Sequence, residues 1–167
     1  MTAPATAEPS RLPWPPIAFL LATAAALGLQ QVLPLAWPGG GALALAGWLL
    51  LFAALGLDAA AMLAMRRQRT TLLPHRAATS LVTTGPFAWS RNPIYLGNTL
   101  AMAGAALAFG NPWFLPAGLL AAIAITRLAI RPEEAHLAAT FGAEWDAYAA
   151  RTRRWLGPHP PARNALR

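Results

Sequence analysis

Two stretches hold most of the polar chemistry of this chain: residues 79–97, TSLVTTGPFAWSRNPIYLG, and residues 131–148, RPEEAHLAATFGAEWDAY. In the first, Gly85-Pro86 and Asn92-Pro93 are turn signals. Pro93 suits the first turn of a helix, where its missing N–H is no loss, and Asn92 then falls at the N-cap. The free N–H groups of such a helix start can hold a carboxylate or another acceptor. The plain alternative is a helix start ringed by interfacial aromatics, Phe87, Trp89 and Tyr95. In the second stretch, Glu133 and Glu134 directly follow an apolar run. They can bind a cation or the hydroxyls of a small ligand. They can equally serve, with Pro132, as the acidic first turn of a new helix. Leu137, Phe141, Trp145 and Tyr148 follow at spacings of four, four and three. That places them on one helix face, lying on the membrane surface, against other helices, or over a site as a lid.

The rest of the chain tells where these residues must sit. Of 167 residues, 56% are hydrophobic and only 11% are charged. Soluble domains carry about 25% charged residues, so the composition points to an integral membrane protein. There is no Cys. Disulfides, thiolate metal sites and Cys nucleophiles are therefore excluded.

Four apolar runs, residues 17–36, 41–65, 93–109 and 113–130, each approach the roughly 20 residues that span a bilayer core of about 30 Å. The expected architecture is an all-α integral membrane protein of about four transmembrane helices with a cytoplasmic C-terminal helical segment. The first run reads as a span and not as a cleaved leader, since it lacks a basic n-region and a convincing cleavage site and three more spans follow it. Residues 13–156 form the expected single domain, between mobile tails 1–12 and 157–167. Small residues Gly97, Ala101, Gly104, Ala105 and Ala108 would let the third helix approach its neighbours closely.

LPLAWPGG and GNP connect the runs on one side as short, uncharged turns. The arginines gather on the other side, at 11, at 66–91 and after 130. By the positive-inside rule both termini and the 66–92 loop are cytoplasmic, in the cell (inner) membrane. The net charge of +7 suits topology signalling and contact with anionic lipid. Basic residues that flank helices without forming one face argue against a nucleic-acid partner. Two charges fall inside the runs, Asp58 and Arg127, either as functional groups or as paired or snorkelling side chains.

Taken together, LVTTGPFAWSRNPIYLG, then GNP, then EEAHLAATFGAEWDAY resemble the isoprenylcysteine carboxyl methyltransferase family, whose wider relatives are the integral-membrane phospholipid methyltransferases. The resemblance covers roughly residues 70–156, with the blocks in the same order. It implies an S-adenosylmethionine-dependent methyltransferase built from membrane helices, with the cofactor at the cytoplasmic face. In keeping with this, no G-x-G-x-x-G follows a strand pattern.

Carried over position by position, the resemblance implies cofactor contacts from Thr79, Ser80, Leu81 and Val82, and from Phe87, which stands where relatives often have Tyr. The family's Arg-His-Pro-x-Tyr appears as Arg91-Asn92-Pro93-Ile94-Tyr95, adding Asn92, Pro93, Ile94 and Tyr95. Asn at 92 keeps hydrogen bonding but not proton transfer. Glu133 matches the cofactor-binding carboxylate, with Glu134 beside it. The Arg that holds a substrate carboxylate in prenylcysteine enzymes is Ala129 here. Either Arg131 or Arg127 replaces it, or the substrate carries no carboxylate. Arg131, Arg127 and Tyr95 are thus the residues expected at the reacting end. The acceptor is expected to be lipid-like or a small hydrophobic molecule, methylated on a carboxyl, amine or thiol, with membrane lipids as surroundings and no obligate protein partner. The alternative is a noncatalytic membrane scaffold or permease subunit that keeps the fold.

Overall fold

The computed structural model describes residues 14–37, 39–68 and 80–157. Three of its helical stretches are long and apolar enough to cross a membrane. They are α1 (Trp14–Val32), α2 (Gly41–Arg67) and the continuous helical stretch Phe114–Phe141. A fourth apolar helix, α3 (Pro93–Phe109), is shorter at 17 residues. A nine-residue helix, α6 (Ala143–Arg151), follows, and there is no strand among the described residues.

Local chemistry sets the boundaries. α3 begins at Pro93, with Asn92 in the N-cap place. It ends at Gly110, whose φ of 63° is a left-handed conformation that glycine adopts without strain. The stretch from 114 departs from the new helix start that Arg131-Pro132 suggests. α4 (Phe114–Ile125) runs on through a π-helical segment, Thr126–Ile130, into α5 (Arg131–Phe141) without a break. The Arg131 N–H donates to the Thr126 carbonyl, five residues back. Pro132 lacks an N–H, and its ring would press on the carbonyl four residues earlier. The wider turn before it lets the chain pass in one direction. At about 1.5 Å per residue the 28-residue stretch is about 42 Å long, more than a core of about 30 Å requires.

α2 and α3 form the most intimate pair. Gly47, Ala54 and Ala61, the buried residues of α2, recur every seven positions and present almost no side chain to α3. A Cβ on Gly47 would come within 2.7 Å of the Gly104 carbonyl and collide with the Ala108 backbone nitrogen. Further along, a Cβ on Gly97 would strike the Asp58 carboxylate. Asp58 forms no ion pair with Arg66; its Oδ1 is buried against α3 and has no hydrogen-bond partner among the described residues.

α4 packs between α3 and α1, with Phe19, Ala26, Met102, Phe114, Ile125 and Ile130 at the centre of the core. At one end the Asn111 amide donates to the Ala26 carbonyl (3.1 Å), and the Trp113 indole N–H donates to the Leu33 carbonyl (2.9 Å). Both short turns lie at that end. The polar stretches lie at the other. Along the sides, Leu20, Leu21, Phe52, Leu55, Leu119 and Leu120 are all more than half exposed. Water would penalise such a surface, whereas hydrocarbon does not.

Candidate functional site

The polar end is assembled from three pieces that are distant in sequence: the turn at 84–92, the first turn of α5, and the segment that follows α6. A single 3₁₀ turn, Gly85–Ala88, leads into α3. Gly85 has a φ of 63°, so the turn depends on its glycine. The stretch before it is tied to the end of α2. The Ser80 hydroxyl donates to the Gln68 carbonyl (2.9 Å), and the Gln68 amide donates to the Thr84 hydroxyl (2.9 Å).

Glu133 and Glu134 are adjacent, so on a helix their side chains point in different directions. Glu134 faces two arginines. Arg91 reaches its Oε1 through Nε (3.1 Å) and Nη2 (3.0 Å). Arg154 reaches Oε2 through Nε (3.0 Å) and Nη2 (2.6 Å). Both carboxylate oxygens are therefore occupied. The hydrogen bond to Glu134 is the main cause that raises the Arg154 pKa above its ordinary value. Arg91 also donates from Nη1 to the Ala149 carbonyl (3.2 Å) and stands 5.5 Å over the Trp145 ring.

Glu133 faces Tyr95, whose hydroxyl donates to Oε2 at 3.4 Å. Its other oxygen has no partner among the described residues, and the residue is exposed. This contact joins the start of α3 to the start of α5, and hence the two polar stretches of the sequence.

The segment after α6 closes the arrangement as a strap. The Arg91 N–H donates to the Arg153 carbonyl (3.0 Å), and the Gly157 N–H donates to the Trp89 carbonyl (2.8 Å). Asn92 occupies the N-cap place, yet its side chain makes no cap. Its amide instead donates to the Arg154 carbonyl (3.1 Å), while its backbone N–H donates to the Ser90 hydroxyl (3.0 Å). The Tyr148 hydroxyl donates to the Phe87 carbonyl (2.7 Å), and burial is the main cause that raises its pKa.

The candidates read from the sequence thus divide. Tyr95 and Glu133 meet directly. Asn92, Pro93, Ile94 and Phe87 lie in or beside the same turn. Ser80, Leu81 and Val82 lie beyond the end of α2, and no polar contact joins them to Glu133. Thr79 lies outside the described residues. Arg127 and Arg131 are exposed and make no ion pair among the described residues. No local signal marks the strap or the pairing of Arg91 and Arg154 with Glu134, because arginines beside apolar runs read first as topology signals.

A search of curated proteins finds no match to this chain. The family model for phospholipid methyltransferases matches residues 43–144, from the first turn of α2 to the start of α6. That range takes in the α2–α3 pair, the turn at 84–92, Tyr95 and both glutamates, and it covers more than half of the chain, which therefore belongs to the phospholipid methyltransferase family.

Proposed function

We propose that the protein is an S-adenosylmethionine-dependent methyltransferase that acts at the cytoplasmic face of the cell membrane on a lipid-like or small hydrophobic acceptor. In this reading α3 is a fourth span, and both termini and the polar end of the bundle face the cytoplasm. The split between uncharged turns at one end and arginines at the other supports that orientation. Membership of a methyltransferase family supports the reaction class.

The observation that carries the reading is the contact between Tyr95 and Glu133. It sets a carboxylate with one unshared oxygen beside a phenol, at an accessible place at the end of the bundle. That donor set fits the cofactor: the carboxylate accepts from hydroxyl or ammonium groups, and the phenol fixes its direction. When bound, the cofactor supplies an electrophilic methyl group on a sulfonium sulfur. The protein's part is then alignment of the acceptor and exclusion of water. Asn92, Pro93 and Ile94 shape the wall beside Tyr95. Ser80, Leu81, Val82 and Phe87 are further proposed cofactor contacts, and Thr79, outside the described residues, is proposed with them from the resemblance alone. Glu134 contributes by fixing the first turn of α5 and hence the direction of Glu133. Arg127 and Arg131, both exposed and without an ion pair among the described residues, are the proposed holders of a phosphate or carboxylate of the acceptor. In this reading the accepting group is a carboxyl, amine or thiol.

The test is calorimetric titration of the detergent-solubilised protein with S-adenosylmethionine and with S-adenosylhomocysteine. Saturable binding that is lost in Glu133→Gln is the expected result. Absence of binding to the folded protein, in detergent and again in lipid, overturns the reading.

A further inference from the structure

Most polar side chains at the polar end of the bundle are committed to one another. Both oxygens of Glu134 are held by Arg91 and Arg154, and the Tyr148 hydroxyl donates to the Phe87 carbonyl. The Asn92 amide is committed to the strap, and the Tyr95 hydroxyl to Glu133. The imidazole of His136 is not. This residue, in the middle of α5, is half-buried. Its Nε2 is fully buried and has no hydrogen-bond partner among the described residues. The His136 carbonyl accepts from the Thr140 hydroxyl (2.9 Å), but the ring takes no part in that bond.

The position of the ring gives this loose end its meaning. His136 follows Glu133 by three residues in α5. The two side chains therefore leave the same face one turn apart, with about 5–6 Å between their Cβ atoms. The face that aims Glu133 at Tyr95 also carries the imidazole. A buried nitrogen without a partner is unfavourable, and in a native fold it calls for a reason. Imidazole is the side chain that most readily takes up and gives back a proton near neutral pH. Closed off from bulk water, Nε2 is kept from ordinary hydration and left to a partner that arrives with the substrate.

We propose that His136 is a catalytic residue, whose Nε2 accepts the proton that the methyl acceptor loses. The accepting atom is then one that carries a proton, an amine nitrogen or a thiol sulfur, and not an ionised carboxylate. The proposal rests on the methyltransferase reading of the Tyr95–Glu133 site. In the transfer, the lone pair of that nitrogen or sulfur forms the new bond to the methyl carbon. The bond from this carbon to the cofactor's sulfur breaks, and its electron pair stays on that sulfur. The acceptor's proton passes to Nε2, and the partly exposed ring then releases it to water at the polar end. A carboxylate has no proton to lose and would leave Nε2 without a task.

The test uses the full chain, detergent-solubilised and labelled with nitrogen-15 and carbon-13 in its three histidines, at 75, 136 and 159. Spectra of His75→Gln and His159→Gln identify the His136 signals. S-adenosylmethionine carries a positive charge at sulfur and S-adenosylhomocysteine does not. An imidazole beside the reacting atoms therefore gives different ring shifts in the two complexes, and that difference is expected at His136. Transfer of labelled methyl groups is then measured to hexadecylamine, hexadecanethiol and hexadecanoic acid. Expected is transfer to the amine or the thiol, slowed about 100-fold or more in His136→Gln, with melting temperature and S-adenosylmethionine affinity unchanged. Gln keeps a hydrogen-bonding group but cannot take the proton. Identical His136 signals in the two complexes overturn the proposal, and this comparison is made on the unaltered ring whether or not His136→Gln folds. An unchanged rate in that variant, or transfer to the acid alone or to none of the three, also overturns it while cofactor binding stands. Absence of binding to the unaltered protein overturns the methyltransferase reading, and the role of His136 with it.

Discussion

Arg91 and Glu134, 43 residues apart in sequence, meet at 3.0 Å with both side chains nearly buried. The same carboxylate holds Arg154 at 2.6 Å. One side chain therefore fastens the start of α3, the start of α5 and the strap after α6. Glu133, next to it, carries no such load. This yields a division between neighbours that look equivalent in sequence. Glu134→Gln leaves two guanidinium groups without their counter-charge and should destabilise the protein by about 3 kcal/mol, mostly through the more buried Arg91 pair. Glu133→Gln should leave thermal stability nearly unchanged and remove S-adenosylmethionine binding. Thermal melts and calorimetry on both variants check this. Equal loss of stability in the two would mean that Glu133 also bears load.

Tyr95 and Trp89 offer a second comparison. Both are aromatic and both stand near the start of α3. Tyr95 packs on the core and donates to Glu133, whereas Trp89 is 65% exposed. Tyr95→Ala removes a charge-assisted hydrogen bond and its packing, and should weaken cofactor binding by about tenfold or more. Trp89→Ala should change it little, since only the backbone carbonyl of Trp89 joins the strap. Calorimetric affinities of the two variants decide the matter. The reverse order would move the cofactor to the outer side of the turn.

Much of the fold was legible because its causes are local. Run length and hydropathy gave the helices, and Pro93 gave the start of α3. The join at Arg131-Pro132 was not legible. A proline lacks an N–H whether it begins a helix or follows a widened turn, and only the hydrogen bond from Arg131 to Thr126 separates the two cases. The load on Glu134 was hidden for a different reason. Its partners lie 43 and 20 residues away, and arginines beside apolar runs have a sufficient explanation in topology. Asn92 stands at the N-cap place, but whether its side chain caps depends on its neighbours. Its amide found a better-placed acceptor in the Arg154 carbonyl once the strap lay alongside. The pairing of Tyr95 with Glu133 came within reach of the sequence only through family resemblance, since no spacing rule joins residues 38 apart.

Arg91 makes three kinds of contact at once: a forked approach to Glu134, a donor to the Ala149 carbonyl, and a position over Trp145. Lys supplies a point charge but neither the fork nor the planar face. Arg91→Lys should therefore behave more like a loss than a conservative change. It should lower thermal stability by about 1–3 kcal/mol and increase protease cleavage between α6 and the C-terminus. A melting temperature and cleavage rate equal to those of the unaltered protein would show that charge alone suffices there.

The α2–α3 pair permits a test that separates close packing from helix propensity. Gly47 and Gly56 lie on the same apolar helix, and alanine is intrinsically the better helix former at both positions by about 1 kcal/mol. A Cβ at Gly56 meets nothing within 4 Å. A Cβ at Gly47 meets the backbone of α3 at Gly104 and Ala108, which has no rotamer with which to yield. Gly56→Ala should therefore be neutral or slightly stabilising. Gly47→Ala should destabilise by about 1–3 kcal/mol, since α3 must move outward. Because α3 carries Tyr95 at its start, that displacement should also lower cofactor affinity without touching the site. Melting temperatures and calorimetric titrations of the two variants read both effects. If Gly47→Ala is as mild as Gly56→Ala, the helices do not approach as closely as Gly47, Gly104 and Ala108 require.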